Sequence, residues 1–391
     1  MWAVLAFTIC TAILAIGDIL AVKTKAVLSM MFVGGLIFLV GFAFLGFPKD
    51  LIVASGANSI YSMTVGLCMV NMGASIPLQE MKKQWKTVVT GFSAAAFIGI
   101  FCTLIGPLFI ERNLAFIGAP VVAGGIGAMN AVLAPINAAG GNVTYSVFCV
   151  VIIMIQYFIG IPIASSLLKK EAKKVMLSGE INNYRQIMQE EGTQRKKLIP
   201  PLPKKYESSQ IFLLKGGIVV SLGYFLNSVF GGWAPTMLVC LLLGLLFQEL
   251  GFLEKGFLDK SNSTGFVLMT MTFSIFASMA DATPSLILEM LRPLIVLFLL
   301  GLIGIFVSAL FTSKALKKGY WMCVAIGLSG LFGFPPTMTI SKEVSRAMST
   351  NDDDYQALEN YIMPQMVIGG FSVFTIGSVI LGSILSRFIV I

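Results

Sequence analysis

Residues 154–160 read MIQYFIG and residues 363–369 read MPQMVIG. Both are M-x-Q-x-x-I-G, and Met154 and Met363 lie 209 positions apart. Each copy sits in a long apolar run and follows a glycine-rich stretch. A polar side chain at bilayer depth is costly and marks function by default. A glutamine at the same place in two apolar halves therefore predicts a duplicated membrane protein with a polar site.

Composition agrees. Apolar residues make up 57% of the 391 and charged residues 12%, too apolar for a water-soluble fold. Several uncharged runs reach the ~20 residues needed to cross a hydrocarbon core of about 30 Å. The expected spans are 2–22, 27–47, 57–75, 87–110 and 143–168, then 210–230, 234–250, 264–281, 292–313 and 357–387. The last is long enough to be tilted or broken. The first has no basic residue before it and no clear cleavage site, so it reads as a retained helix. Cys10, Cys68, Cys102, Cys149, Cys240 and Cys323 all fall in apolar runs without C-x-x-C spacing and read as small buried hydrophobes. Histidine is absent, which excludes histidine proton relays, Ser-His-Asp triads and histidine-rich metal sites.

The net charge of +8 does not imply nucleic acid, because the basic residues cluster between apolar runs. Lys23 and Lys25 follow the first run. Lys82, Lys83 and Lys86 follow the third, Lys169, Lys170, Lys173 and Lys174 the fifth, and Lys314, Lys317 and Lys318 the ninth. The other side holds Lys49, Arg112, Arg292 and Arg387. The positive-inside rule then places both termini outside and residues 169–208 in the cytoplasm. That basic stretch ends in Pro200-Pro201-Leu202-Pro203 and reads as a linker. The expected organisation is a first five-helix repeat at 1–168, the linker at 169–208 and a second repeat at 209–391. An odd helix number inverts the second repeat. The expected fold is all-α and polytopic, with about ten transmembrane helices in two inverted five-helix repeats.

Further marks recur in order. MGASIP at 72–77 matches MADATP at 279–284, an offset of 207, and Gly125 pairs with Gly330 at 205. Residues 114–141 and 319–346 are apolar but interrupted by Gly and Pro, and each suits a full helix, a re-entrant hairpin or a broken helix. Interrupted backbone survives in a membrane only when buried in protein or lining a wet cavity. Pro335 and Pro336 are the strongest breakers. Thr337 to Ser341, with Thr339 between, can restart a helix with hydroxyl caps. A helix N-terminus there would offer free N–H groups to an anion, and broken-helix carbonyls would suit sodium.

Among polar residues at depth, Gln156 and Gln365 lead because they occur in register. Asn71, Asn130 and Asn137 follow. Asp281, which stands where the first repeat has Ala74, is a candidate cation ligand or an interfacial residue. Asp18 reads as structural, Lys215 as snorkelling, and Glu343 as pairing with Arg346 or with water. Pro364, directly before Gln365, predicts that the second copy's helix breaks and that the second half holds more of the site.

GLSGLFGFPPTMTISKEVSRAM at 327–348, followed by YIMPQMVIGGF at 361–371, resembles the bacterial sodium/glutamate symporter family. AGGIGAMNA at 123–131 is similar to that family's first-half counterpart. The resemblance implies two inverted five-helix repeats, each with a re-entrant Gly-rich hairpin, whose tips bind substrate and sodium near the midplane. The positions matching the tips are Gly124, Gly125 and Gly127, and Gly330, Gly333, Pro335, Pro336 and Thr337. The family's first tip carries a Gly-Gly-His-Gly run. This chain has Ile126 there, which widens the expected solute from glutamate to another carboxylate or amino acid.

The expectation is a secondary transporter of the inner cell membrane and not an enzyme. It would be a homodimer, coupled to sodium, carrying a small anionic solute such as glutamate by alternating access. One bundle would hold both Gly-rich segments and move against a scaffold. The expected substrate-site residues are Gly124, Gly125, Gly127, Asn130, Gln156, Gly330, Gly333, Pro335, Pro336, Thr337, Thr339 and Gln365, with Asn71 and Asp281 as ion ligands. No cofactor is expected beyond the coupling ion. The competing expectation is a proton-coupled exporter or antiporter with Asp281 as proton carrier. No Walker Gly-x4-Gly-Lys-Ser/Thr run is present, which argues against ATP coupling within the chain.

Overall fold

In the computed structural model each of the ten apolar runs contains helix among its described residues. The structure describes residues 2–25, 28–75, 84–138, 143–182, 184, 198–200, 202–231, 236–277, 280 and 290–389. Among these residues the chain is all-helical, and seven helices are long and apolar enough to cross a membrane. The chain is thus a multi-pass membrane protein by the length and composition of its helices.

The helices are α1 (Trp2–Lys23), α2 (Met30–Phe44), α3 (Leu51–Ala54), α4 (Ala57–Ser75), α5 (Trp85–Ile105), α6 (Arg112–Ala138) and α7 (Val143–Ser178). After the linker come α8 (Ser209–Val229), α9 (Thr236–Leu250), α10 (Phe257–Lys260), α11 (Thr264–Phe276) and α12 (Leu291–Leu316). The last are α13 (Tyr320–Phe332), α14 (Pro336–Met348), α15 (Asp352–Phe371), a π-helical turn (Ser372–Gly377) and α16 (Ser378–Leu385). Local chemistry sets several starts. Ser29 caps α2 by accepting the Met31 N–H, and Asn351 caps α15 by accepting the Asp354 N–H. Asp352, Asp353 and Asp354 then sit in the first turn of α15, where the helix dipole favours negative charge.

Two expectations about helix ends change. The helix α7 continues past 168 to Ser178, carrying the first lysines of the expected linker on good helix formers. Pro364 does not break α15, which runs to Phe371. Residues 362–373 are all buried, and packing holds a proline-bearing helix that isolated backbone would not. The irregularity falls later, at the π turn.

The chain forms two compact units, each drawing on both halves of the sequence. One comprises residues 1–11, 50–83 and 186–277, the other 12–49, 84–185 and 278–391. In the first unit, α4 and α9 approach through glycines. A Cβ at Gly73 would overlap the Leu241 carbonyl, and one at Gly244 would overlap the Val70 carbonyl. Small residues let membrane helices pack backbone to backbone, where dispersion holds them together. Lys215, expected to snorkel, pairs with Glu254 at 2.6 Å within this unit.

In the second unit, α12 lies on α5, where a Cβ at Gly304 would stand 2.8 Å from the Phe97 carbonyl oxygen. The helix α6 lies along α16, and α13 along α7. Gly160, which ends the first glutamine motif, meets Leu331 and Phe332 of α13; Gly369, which ends the second, meets Ile326 of the same helix.

Candidate functional site

Each Gly-rich run is two helical arms joined at a break. In α6 the break is Gly124 (φ −162°, ψ 19°) and Gly125 (φ 59°, ψ −137°). In the second run α13 ends at Gly333 (φ 56°, ψ −154°) and α14 begins after a cis Phe334–Pro335 peptide. Positive φ with strongly negative ψ is essentially reserved to glycine. Gly125 and Gly333, 208 positions apart, thus share a backbone conformation that Gly330, inside α13, does not adopt.

The breaks share their surroundings. A Cβ at Gly330 would stand 2.7 Å from the Ala123 carbonyl oxygen, so the second run packs against the backbone just before the first break. A Cβ at Gly124 would overlap Ser378, and one at Gly125 would lie 3.3 Å from Gln156 Nε2. Thr337 faces Gly370 of α15, with 3.1 Å between its Cγ2 and the place of a Cβ. The structure thus brings together Gly124, Gly125, Gly330, Gly333 and Gln156, with Thr337 close after the second break.

Two polar side chains here are buried without partners. Gln156 is 0% exposed, and neither its Nε2 nor its Oε1 has a hydrogen-bond partner among the described residues. Thr337 is also 0% exposed, and its Oγ1 is likewise unpartnered. Each buried unpaired polar group costs about 1–3 kcal/mol, and such groups call for a reason. The amide offers two donors and an acceptor, and the hydroxyl one donor and two lone pairs. The chemistry of either group suits a carboxylate, carboxamide or amino-acid head. The open pocket lined by Pro107, Phe109, Glu111, Leu114 and Arg292 shares no residue with this cluster.

The restarted helix does not provide the expected free N–H groups. Pro335 and Pro336 have none, the Thr337 N–H donates to the Gly333 carbonyl (3.2 Å), and those of Met338 and Thr339 donate to the Pro335 carbonyl (3.0 and 3.3 Å). The first turn is closed on itself, with no side-chain cap. The anion-at-the-dipole reading of this terminus is therefore dropped.

Other candidates lie elsewhere. Gly127 and Asn130 are exposed, on the second arm of α6. Thr339 is buried on α14. Gln365 is buried, but its Nε2 donates to the Tyr361 carbonyl at 2.7 Å. It precedes the π turn by a run of helix rising about 1.5 Å per residue. Asn71 belongs to the other compact unit, where its Oδ1 accepts the Leu258 N–H at 2.9 Å. Asp281 lies outside the described residues, as does the MADATP run apart from Ala280, and the side chain of Asn137 is not described. Among the described residues no group of three or more His, Cys, Asp or Glu gathers as a metal set.

Two acids that the sequence reading did not place in a site are held within the same compact unit. Glu171 on α7 is 1% exposed; its Oε1 accepts the Tyr361 hydroxyl at 3.0 Å and its Oε2 is buried without a partner. Tyr361 thus links Glu171 to Gln365. Glu343 on α14 does not pair with Arg346 as expected: its Oε1 accepts the Met30 N–H at 3.0 Å. Burial pushes this carboxyl, which lies beyond the apolar spans, up to about 7. Asp18 adds to the rise, while hydrogen bonds from Ser29 and Met30 and the charge of Lys169 oppose it.

No protein-family model matches the chain, and a search of curated proteins returns no match.

Proposed function

We propose that the chain is a secondary active transporter, a sodium-coupled symporter of glutamate or a related small carboxylate or amino acid. The observation that carries this reading is the amide of Gln156. It is fully buried, unpaired at both atoms, and set against the break glycine Gly125. A fully buried amide left unpaired beside a helix break would serve as the anchor of a polar ligand. Thr337 adds a second orphaned donor and acceptor.

In this reading the two breaks are the tips of re-entrant segments in inverted repeats, as the equal conformations of Gly125 and Gly333 suggest. The compact unit that holds both breaks and both glutamines is the transporting body. Solute would bind between the arms, with break carbonyls available to sodium, and each ligand would strengthen the other's binding. The site would open to each face of the membrane in turn. Homodimer formation and the outward placement of both termini belong to the same proposal.

The test is purified protein screened for thermal stabilisation by amino acids and dicarboxylates with and without sodium, followed by proteoliposome uptake. Stabilisation by a solute that requires sodium supports symport. Uptake that persists on a proton gradient without sodium overturns it.

One observation favours the second reading, a proton-coupled exporter or antiporter. Glu343 sits on the arm that follows the second break, with a carboxyl near neutrality. In that reading Glu343 would be the proton carrier, where Asp281 was the sequence candidate.

A further inference from the structure

The ring of Phe374 stands where the two breaks meet. A Cβ at Gly125 would lie 2.9 Å from Phe374 Cζ and 3.0 Å from Cε2. A Cβ at Gly333 would lie 2.9 Å from both Cγ and Cδ2 of the same ring. The root of the ring therefore rests on the second break and its tip on the first. Because Gln156 Nε2 is also against Gly125, ring tip and orphaned amide share one glycine. Gln156 is fully buried while Phe374 is half-buried, so the ring forms part of the cover between the amide and the outside.

The backbone that carries the ring is unusual. Phe374 belongs to the π-helical turn Ser372–Gly377, and single π turns concentrate at functional sites. Three hydroxyls bracket it by bonding back to helix carbonyls. Ser372 donates to Ile368 (2.7 Å), Thr375 to Phe371 (2.6 Å) and Ser378 to Phe374 itself (2.6 Å). Such back-bonding slightly destabilises and bends a helix. A wide turn with competing carbonyl partners is a place where a side chain can be re-aimed at small cost. The two glycines leave the ring room that any larger residue would fill.

We propose that Phe374 is the gate of the solute site. Its ring seals Gln156 in this conformation, and rotation of the π turn lifts it off Gly125 and Gly333 to admit the flat carboxylate or carboxamide head of the solute. The gate rests on the reading of Gln156 as the solute's anchor. It adds the residue that decides when the anchor is reachable and how large a head can enter.

The experiment places a thiol at the anchor, Gln156→Cys in the full-length protein, and follows its reaction with N-ethylmaleimide by peptide mass spectrometry. Cys149 and Cys323, both buried, serve as internal references. With Phe374 present, position 156 should react slowly. Phe374→Ala should speed that reaction by about tenfold or more, and Phe374→Leu by less, as expected for removing one barrier to local opening. A rise confined to position 156 in either variant supports the gate. Equal rates with and without Phe374 overturn it, and so does a rise at all three positions, which would mean general loosening. The outcome is independent of transport. If no solute stabilises the protein but position 156 opens, the transporter reading fails, while Phe374 still stands as the movable cover of Gln156. If a solute stabilises the protein and position 156 ignores Phe374, the gate fails and the transporter reading stands.

Discussion

Gly125 and Gly333 adopt one backbone conformation, φ 59° and ψ −137° against φ 56° and ψ −154°, and both lie against the ring of Phe374. The likeness is a constraint as well as a correspondence. At both positions a side chain meets a strained backbone and an aromatic wall at once.

Alanine at either glycine should therefore be poorly tolerated. The backbone strain costs about 1–3 kcal/mol, and the added methyl presses on Phe374 besides. Gly125→Ala and Gly333→Ala should each lower the unfolding temperature in detergent. Gly217→Ala, whose Cβ would meet nothing within 4 Å, should not. Equal melting of all three variants would refute the strain argument.

Gln156→Met should separate stability from function. It removes two buried unpaired atoms, each costing about 1–3 kcal/mol, while keeping the side chain's length. The variant should melt above the parent and lose its response to solute. A variant that melts lower, or still responds to solute, would show that the amide is paired in the working protein. Gln365→Ala should weaken the solute response less, because that amide already donates to the Tyr361 carbonyl.

Tyr361→Phe removes the only hydrogen bond shown for the carboxylate of Glu171 among the described residues. Leaving that buried acid without a donor should destabilise the protein by about 1–3 kcal/mol. In a double-mutant cycle with Glu171→Gln, the two changes should couple by at least about 0.5 kcal/mol. Strict additivity in thermal or denaturant unfolding would mean that the hydroxyl and the carboxylate do not interact.

Glu343 gives stability a pH dependence of known sign. Its folded pKa of about 7 lies above the ordinary 4.5, so the folded state keeps a proton that the unfolded chain has released between these values. This contribution is full below pH 4.5 and is lost as pH rises through 7. Glu343→Gln should flatten the melting temperature across that window relative to the parent. A parallel pair of curves would remove Glu343 as the titrating group.

Much of the architecture was legible because the bilayer demands it. Long uncharged runs located the helices, and the Gly and Pro residues located both breaks. Which glycine turns the chain was not legible. Gly330 and Gly333 are the same letter, and only backbone angles separate a packing glycine from a hinge glycine. Gln156 was readable as a polar residue at depth, whereas Gln365 proved to be satisfied by its own helix, which a motif cannot reveal. Phe374 carried no signal at all, as one of 30 phenylalanines distinguished only by the two glycines it touches. Glu171 was hidden inside KKEAKK, which reads as a solvated run of charge. Pro364 misled because burial around it outweighs the hydrogen bond it lacks.

The seam in which Gly73 rests on the carbonyl of Leu241 and Gly244 on that of Val70 has a consequence in time. Its two helices, α4 and α9, belong to opposite halves of a growing chain. At about 5–20 residues per second, α9 leaves the ribosome on the order of 10–35 s after α4. Through that interval α4 lies in the bilayer with its glycine face open to lipid, to the insertion machinery or to a neighbouring copy. The first unit is completed by late arrivals, so the order of synthesis and the order of assembly differ. Premature termination anywhere before residue 250 would strand α4 without the surface it was shaped to meet.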